Sequence, residues 1–133
     1  MIQVCCAVIK EKVKGEPCVL VCQRSATMRL PLKWEFPGGK VEQGEKLEEC
    51  LIRELREELF IEVEVEKALS PVRHDYGSGL IELIPFFCRQ LRGDIQLTEH
   101  KDYRWQPVSQ LFELDFAEAD IPIVHQLLKH ERR

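Results

Sequence analysis

GGKVEQGEKLEECLIRELREELFI, residues 38–61, joins a glycine-containing segment to a run of helix-forming residues. From Lys46 to Leu59 the chain has no glycine or proline and is rich in Leu, Glu and Arg, which favour helices. Upstream, residues 31–44 include two prolines and three glycines, which favour turns. The stretch therefore predicts a segment that is largely loop, followed by a helix over residues 46–59.

The predicted helix places carboxylates on the same side as its leucines. At about 100° per residue, one side carries Leu47, Leu51, Glu54 and Glu58, with Glu57 on its flank. Glutamates three and four residues apart repel each other at a cost on the order of a few tenths of a kcal/mol per pair. A divalent cation would remove this conflict, because Mg²⁺ prefers hard oxygen ligands.

A second interpretation fits the same helix. The glutamates would belong to a solvated helix face and be balanced by Lys46, Arg53 and Arg56. Helix geometry alone does not separate a metal site from such a charged surface, so the flanking residues decide between them.

The flanking residues carry a pattern with many fixed positions. It has the spacing G-x5-E-x7-R-E-U-x-E-E-x-G-U and is formed here by Gly39, Glu45, Arg53, Glu54, Leu55, Glu57, Glu58 and Ile61. This pattern resembles the signature of the Nudix hydrolase family. The preceding residues 34–40, WEFPGGK, are similar to the approach loop of MutT-type Nudix enzymes.

One position departs from the pattern, because Phe60 stands where the family has a glycine. A glycine just past a helix commonly adopts a left-handed conformation, which costs other residues about 1–2 kcal/mol. We therefore expect the helix to end differently here, with Phe60 extending the helix or packing inward.

The resemblance implies a metal site on this helix. Its ligands would be Glu54, Glu57 and Glu58 together with the backbone carbonyl of Gly38, and its ion would be Mg²⁺, with Mn²⁺ as a substitute. Arg53 would orient one of these glutamates through a charge-assisted hydrogen bond.

A glutamate on a distant loop completes the implied catalytic set. In MutT-type enzymes such a glutamate acts beside the helix, and Glu99 occupies the similar place before Trp105. The resemblance implies Glu99 as general base or as a further metal ligand, so that catalysis would involve Glu54, Glu57, Arg53 and Glu99. The alternative is an ordinary solvated loop glutamate.

Four further residues are implied in substrate binding. Arg24 and Lys40 match basic positions that would meet the phosphates, although each can equally be a surface charge. Phe36 would stack on a base or fill the core.

Asp120 resembles the position that presents a polar group to the base, where MutT itself has an asparagine. With an aspartate at this position, the chain resembles the branch described as CTP pyrophosphohydrolases. Its carboxylate can accept hydrogen bonds from cytosine or from guanine, and it is an equally good N-cap for the helix that follows.

Composition excludes several classes of protein. The chain has 133 residues, the size of a single domain spanning 1–133, and no apolar run approaches the roughly 18 residues of a membrane span. Its net charge of −4 makes duplex nucleic acid a poor partner. No export signal is evident, so the six cysteines are predicted to be reduced thiols of a cytoplasmic protein. Both a monomer and a homodimer remain open.

Apolar and β-branched stretches predict strands over residues 3–10, 18–23, 62–68, 80–88 and 103–106, with helices near 108 and after 120. Pro85 indicates an edge strand or a bulge. The fold class is α/β, and the resemblance implies the Nudix α/β/α sandwich with a mixed β-sheet. The four histidines have no metal-ligand spacing and are predicted to be surface or linker residues: His74, His100, His125 and His130.

The resemblance implies an enzyme that converts a nucleoside triphosphate and water into the monophosphate and pyrophosphate. CTP, dCTP or modified pyrimidine nucleotides would be its substrates, and control of the nucleotide pool its role. Three alternatives stay open: an 8-oxo-dGTP diphosphatase, a hydrolase of ADP-ribose, dinucleoside polyphosphates or nucleotide sugars, and a non-catalytic nucleotide sensor.

Overall fold

A computed structural model describes residues 1–131 as eight strands and two α-helices. The strands are β1 (Ile2–Val13), β2 (Glu16–Gln23), β3 (Trp34–Glu35), β4 (Gly38–Lys40), β5 (Glu62–Ala68), β6 (Val72–Asp75), β7 (Leu80–Arg92) and β8 (Asp102–Pro107). The helices are α1 (Leu47–Leu59) and α2 (Ile121–Glu131), and two 3-10 helices span Val108–Glu113 and Glu118–Asp120. Within residues 1–131, no helix has the length and apolar character needed to cross a bilayer.

The sheet is organised around β1. This strand pairs in parallel with β7 over residues 2–9. On its other side, residues 4–6 pair antiparallel with β4, and residues 10–13 pair antiparallel with β2. Strands β3 and β8 continue from β2, while β5 and β6 pair with β7. The sheet is therefore mixed, as predicted.

Alternation of side chains along β1 gives each face of the sheet its own apolar core. Cys5, Ala7 and Ile9 lie in the core covered by α1, whereas Cys6 and Val8 lie in the core covered by α2. The helices supply the buried side chains of Leu51, Leu55, Leu59, Ile123, Val124 and Leu127. The sheet lies between two helical layers, which confirms the predicted α/β/α sandwich.

Most predicted elements lie where the sequence placed them. Helix α1 begins one residue later than predicted, with Lys46 as its N-cap, and the strand predicted over residues 62–68 is β5. The short strands β3 and β4 lie inside the segment predicted to be largely loop, and β6 has no counterpart among the predicted elements. These three strands have two to four residues, too few for a periodic pattern to be visible.

Pro85 lies in an interior strand, so its assignment to an edge strand is wrong. Strand β7 pairs with β1 on one side and with β6 and β5 on the other. The pairing with β6 reaches Leu83 and the pairing with β5 begins at Phe86, so Pro85 falls where the partner changes. The register of β5 also shifts between Val65 and Ala68, close to this point. An irregularity of this kind accommodates a residue without an N–H.

All six cysteines are buried and unpaired. Burial raises the pKa of Cys5 to about 11 and that of Cys50 to about 12. These thiols are therefore protonated at neutral pH and pack as small apolar side chains.

Helix α1 ends at a left-handed Phe60, so the expectation that Phe60 would extend the helix or pack inward is wrong. Its φ is 60°, its side chain is 54% exposed, and its N–H donates to the carbonyl of Arg56 at 3.1 Å. The N–H of Ile61 donates to the carbonyl of Leu55 at 3.4 Å. Such bonds are typical of a helix end capped by glycine. Because Leu59 and Ile61 are both buried, the residue between them must make this turn.

Replacing Phe60 by glycine should raise the free energy of unfolding by about 1 kcal/mol, because glycine adopts the left-handed conformation without the clash of a Cβ atom. Urea-induced unfolding would measure the difference. Phe60→Ala is the matched control, since it removes the ring and keeps the Cβ. Equal stability of the glycine and alanine variants would contradict strain at this position.

Candidate active site

The guanidinium of Arg53 connects α1 to the loop before it. Its Nε and Nη2 donate to the two carboxylate oxygens of Glu45 at 2.7 and 3.0 Å, and Nη2 also donates to the carbonyl of Lys40 at 3.3 Å. The hydrogen bonds from Arg53 lower the pKa of Glu45 to about 2. Nη1 reaches Glu54 at 3.0 Å and Glu57 at 3.2 Å. The orienting contact expected of Arg53 is therefore present, and it extends to three acidic residues.

The two glycines of the loop leave no space for a side chain. A Cβ atom on Gly38 would lie 1.9 Å from the carbonyl oxygen of Cys5, because β4 passes directly against β1. A Cβ atom on Gly39 would lie 2.3 Å from the carboxylate carbon of Glu54. The bare backbone at Gly39 therefore provides the space in which Glu54 lies beside the loop.

Glu58 has a carboxylate that the fold leaves partly unsatisfied. Its Oε2 is buried and has no hydrogen-bond partner within the described residues. Desolvation by burial, and then the charges of Glu54 and Glu35, raise the pKa of Glu58 to about 8. Glu58 therefore keeps a proton at neutral pH unless a cation replaces it.

These carboxylates fit a hard divalent cation, although they do not form a ready-made cluster. A buried carboxylate oxygen without a donor, next to other carboxylates, is an environment that such a cation satisfies. Over residues 1–131, no three acidic, histidine or cysteine side chains converge as metal ligands. Arg53 accounts for this, because it holds both Glu54 and Glu57, and the Glu57 side chain is 60% exposed. Arg53 bonds only one carboxylate oxygen of Glu54 and one of Glu57, so the other oxygen of each is left for a cation.

Glu99 lies on an exposed loop near the end of α1. Its charge contributes to the raised pKa of Glu58, so the two carboxylates share one electrostatic environment. The neighbouring Thr98 donates through Oγ1 to the carbonyl oxygen of Glu58 at 3.2 Å. The loop thus brings Glu99 towards the helix, while its role in catalysis stays a prediction.

Glu35, which was not predicted as a site residue, lies in the same region between two side chains that bind it. Glu35 of β3 accepts a hydrogen bond from Nη1 of Arg24 on one carboxylate oxygen and contacts Nε2 of His100 with the other, both at 2.8 Å. Arg24 also donates through Nε to the carbonyl of Arg29. The His100 side chain is only 2% exposed, so it is not a surface residue, although it does lie in the segment that links β7 to β8.

The sequence indicates which way the Glu35 side chain faces, but it does not indicate the contact with His100. Glu35 stands between two aromatic residues, Trp34 and Phe36, inside the stretch that resembles the family's approach loop. Both aromatics are buried, so the glutamate between them had to face the other side of the strand. His100 lies 65 residues further along the chain, and no local pattern indicates that contact.

A cleft of about 410 Å³ connects these groups. Its walls come from the glycine loop, α1 and the segments around residues 76–81 and 117–120. Among its lining residues are Arg24, Glu35, Phe36, Gly38, Lys40, Glu58, Tyr76, His100 and Asp120. Six of the predicted site residues therefore line one space, and Arg53, Glu54, Glu57 and Glu99 lie outside that lining.

Asp120 is buried in the wall of the cleft. Its Oδ2 accepts a hydrogen bond from the backbone N–H of Phe36 at 2.9 Å. The side chain therefore holds the β3–β4 segment and does not cap α2, which corrects the helix-cap alternative. Desolvation by burial, and then the charge of Glu35, raise the pKa of Asp120 well above its usual range.

The remaining substrate-site candidates differ in exposure. The Phe36 side chain is buried and its ring stacks on Phe116 with centroids 5.6 Å apart, so it belongs to the core as well as to the cleft wall. Lys40 is exposed at the cleft. Arg24 is largely buried, with 19% of its side chain exposed.

Comparisons with known proteins agree with this geometry. Residues 1–127 match the NUDIX domain family model. The chain is 33% identical to the CTP pyrophosphohydrolase of Escherichia coli K12 over 96% of this chain and 92% of the relative. It is 28% identical to the 8-oxo-dGTP diphosphatase of the same strain over 82% of this chain and 84% of the relative. The crystal structure of a MutT protein from Methanosarcina mazei Go1 has a TM-score of 0.86 at 25% identity, covering 99% and 96% of the two chains.

Adding a methyl group at the two loop glycines should have unequal effects on stability. Gly38→Ala places a Cβ against fixed backbone of β1, so the free energy of unfolding should fall by about 3 kcal/mol or more. Gly39→Ala meets only the movable carboxylate of Glu54, so the loss should stay under about 1.5 kcal/mol. Urea-induced unfolding compares the two variants, and equal losses would contradict the assignment of these two contacts.

Proposed function

The chain belongs to the Nudix hydrolase family, and on that basis we propose that it cleaves nucleoside triphosphates into the nucleoside monophosphate and pyrophosphate. CTP, dCTP or modified pyrimidine nucleotides are the proposed substrates. One observation carries the proposal: the unpartnered carboxylate of Glu58 and the buried acid of Asp120 line the same cleft. The first suits a metal-bound phosphate chain, and the second suits the edge of a base.

Nudix hydrolases generally use a divalent metal ion, which we assign here to Mg²⁺, with Mn²⁺ as a substitute. Glu54, Glu57 and Glu58 would hold it together with the carbonyl of Gly38, and Glu99 would be a further ligand or the general base. Bound Mg²⁺ neutralises phosphate charge and lowers the pKa of the attacking water.

The protein's own side chains bind the phosphates and accept the proton. Lys40 and Arg24 meet phosphate oxygens, since the contacts of Arg24 with Glu35 and Arg29 leave its Nη2 hydrogens for a ligand. A water molecule attacks a phosphorus of the triphosphate, Glu99 takes its proton, and the bond to the pyrophosphate oxygen breaks. Pyrophosphate leaves with the electron pair of that bond.

The environment of Asp120 favours cytosine over guanine. A neutral carboxylic acid has one donor and one acceptor, which match N3 and the amino group of cytosine. An ionised carboxylate has acceptors only, which match the N1–H and amino group of guanine. Because burial raises the pKa of Asp120, the neutral form is favoured, and with it cytosine. The 8-oxo-dGTP alternative rests on the ionised form and on the likeness to 8-oxo-dGTP diphosphatases.

The proposed role is control of the nucleotide pool in the cytoplasm. Six buried, unpaired thiols support a reducing compartment, because exported proteins of this size commonly carry disulfides.

A substrate panel tests the proposed function directly. Purified protein with Mg²⁺ would be given CTP, dCTP, modified cytosine nucleotides, 8-oxo-dGTP, ADP-ribose and the common triphosphates, with pyrophosphate and monophosphate quantified over time. Preference for cytosine nucleotides is expected. Preference for 8-oxo-dGTP or ADP-ribose would replace the proposed substrate, and nucleotide binding without hydrolysis would favour a sensor.

Glu57→Gln should lower kcat by about 100-fold or more, because it removes a metal ligand. The free energy of unfolding should change by less than about 1 kcal/mol, since the Glu57 side chain is 60% exposed and Arg53 keeps its hydrogen bonds to Glu45 and Glu54. Glu48→Gln, in the first turn of the same helix, is the control and should keep the wild-type kcat. Wild-type kcat in Glu57→Gln would refute the metal assignment.

Substitutions of Asp120 test the base assignment. Asp120→Asn keeps one donor and one acceptor, so kcat/KM for dCTP should be preserved; the ratio of kcat/KM for dCTP over 8-oxo-dGTP is measured alongside it, because MutT has an asparagine at this position. Asp120→Ala should lower kcat/KM for dCTP by about tenfold to a hundredfold, the worth of a bidentate base contact.

The pH dependence of the same ratio separates the two protonation states. In the wild type, the preference for dCTP should fall as pH rises through the raised pKa of Asp120, because the acid then loses its donor. In Asp120→Asn the ratio should stay constant, since an amide does not titrate. A flat profile in the wild type would show that a neutral Asp120 does not select the base.

A further inference from the structure

The connection between β7 and β8, residues 93–101, is fixed by side-chain contacts on both sides of Glu99. Before it, Oγ1 of Thr98 donates to the carbonyl oxygen of Glu58 at 3.2 Å. After it, Nε2 of His100 lies 2.8 Å from Oε2 of Glu35. Glu99 therefore stands between one anchor on α1 and one anchor on β3.

Backbone hydrogen bonds secure the rest of this connection. The N–H of Gln96 donates to the carbonyl of Leu59 at 3.1 Å, and the N–H of Lys101 donates to the carbonyl of Gln23 at 2.9 Å. Each bond attaches the connection to the end of a different element. The segment is thus held at four points, although Glu99 itself is exposed.

The anchor at His100 is the buried one of the two side-chain anchors. The imidazole is 2% exposed, and its partner Glu35 is 19% exposed and also bound by Arg24 at 2.8 Å. Water competes little for a hydrogen bond in such a place, so the contact is stronger than the exposed one made by Thr98. The contact joins Nε2 of His100 to the carboxylate oxygen of Glu35 that Arg24 does not bind.

We propose that His100 is a positioning residue, which keeps Glu99 beside Glu58 through its hydrogen bond to Glu35. His100 does this without touching the reacting atoms. The inference rests on the role given to Glu99 in the proposed function. Loss of a contact that orients a ligand or base commonly lowers metal affinity or activity by about 10–100-fold. This range sets the size of the expected effect.

Three histidine variants separate the hydrogen bond from the volume of the ring. His100→Leu removes the donor, whereas His100→Gln keeps an amide nitrogen near the place of Nε2. Kinetics with dCTP and Mg²⁺ should show kcat reduced about 10–100-fold in His100→Leu and largely restored in His100→Gln, with KM changed less than about twofold. His125→Leu is the control, because His125 is exposed on α2, and it should match the wild type.

A double substitution shows whether His100 acts through Glu99. Residues that act as one unit are not additive. In a Glu99→Gln background, adding His100→Leu should therefore cause no further loss of kcat. An additive loss would mean that His100 supports the fold elsewhere, and it would overturn the proposal. Wild-type kcat in Glu99→Gln would instead overturn the role of Glu99 on which the proposal rests.

Binding of Mn²⁺ alone, followed by electron paramagnetic resonance, tests the same contact without turnover. His100→Leu and Glu99→Gln should change Mn²⁺ affinity alike, with a loss if Glu99 is a metal ligand and none if it is the general base, and His100→Gln should match the wild type. Unchanged Mn²⁺ affinity and kcat in His100→Leu would overturn the proposal. A wild type that hydrolyses no nucleotide would refute the proposed function, and the Mn²⁺ result would then decide the role of His100 by itself. Should His100→Leu fail to fold, His100→Asn replaces it, since its shorter amide does not reach Glu35.

Discussion

Burial of one side of α1 determines where the acidic side chains point. Leu51, Leu55 and Leu59 are fully buried against the sheet, and each contributes about 1.5–3 kcal/mol. Repulsion between neighbouring glutamates costs on the order of a few tenths of a kcal/mol per pair. Packing therefore fixes the rotation of the helix, and Glu54 and Glu58 must follow it towards the sheet. The unsatisfied oxygen of Glu58 is the consequence of that imbalance.

Hydrogen bonds from other side chains then determine which carboxylate oxygens are left free to bind a ligand. Arg53 holds the loop to the helix through Glu45, and the same guanidinium also takes up Glu54 and Glu57. Arg24 and the imidazole of His100 hold Glu35, which also lines the cleft, through hydrogen bonds. Glu58 alone among these carboxylates has an orphaned oxygen in the described part of the chain. The cleft thus combines a frame of ion pairs with one carboxylate oxygen, Oε2 of Glu58, for which residues 1–131 supply no donor.

Local patterns predicted the helix and the long strands, because the residues that form each of these elements are consecutive in the sequence. The contact between Glu35 and His100 joins residues 65 positions apart, and neither position carries a periodic signal. Phe60 shows a different limit: its intrinsic preference opposes a left-handed turn, and burial of its two neighbours overrides that preference. Pro85 was expected at an edge or a bulge because proline lacks an N–H, and it lies in an interior strand where the partner changes, next to a shift in register. Sequence therefore predicts which residues line the cleft better than the contacts that hold them in place.

The parallel pairing of β1 with β7 also shapes how the chain reaches its structure. Ile2 pairs with Ile81. The central strand can therefore pair with β7 only after the roughly eighty residues that separate these two positions have been synthesised. Contacts of such long range form slowly, because a large loop must close before they stabilise anything. Until then β1 presents apolar side chains on both of its faces. The nascent chain therefore passes through a stage in which residues 5–9, which are buried in the folded protein, are exposed and prone to aggregation, and this is the stage at which a chaperone would protect it.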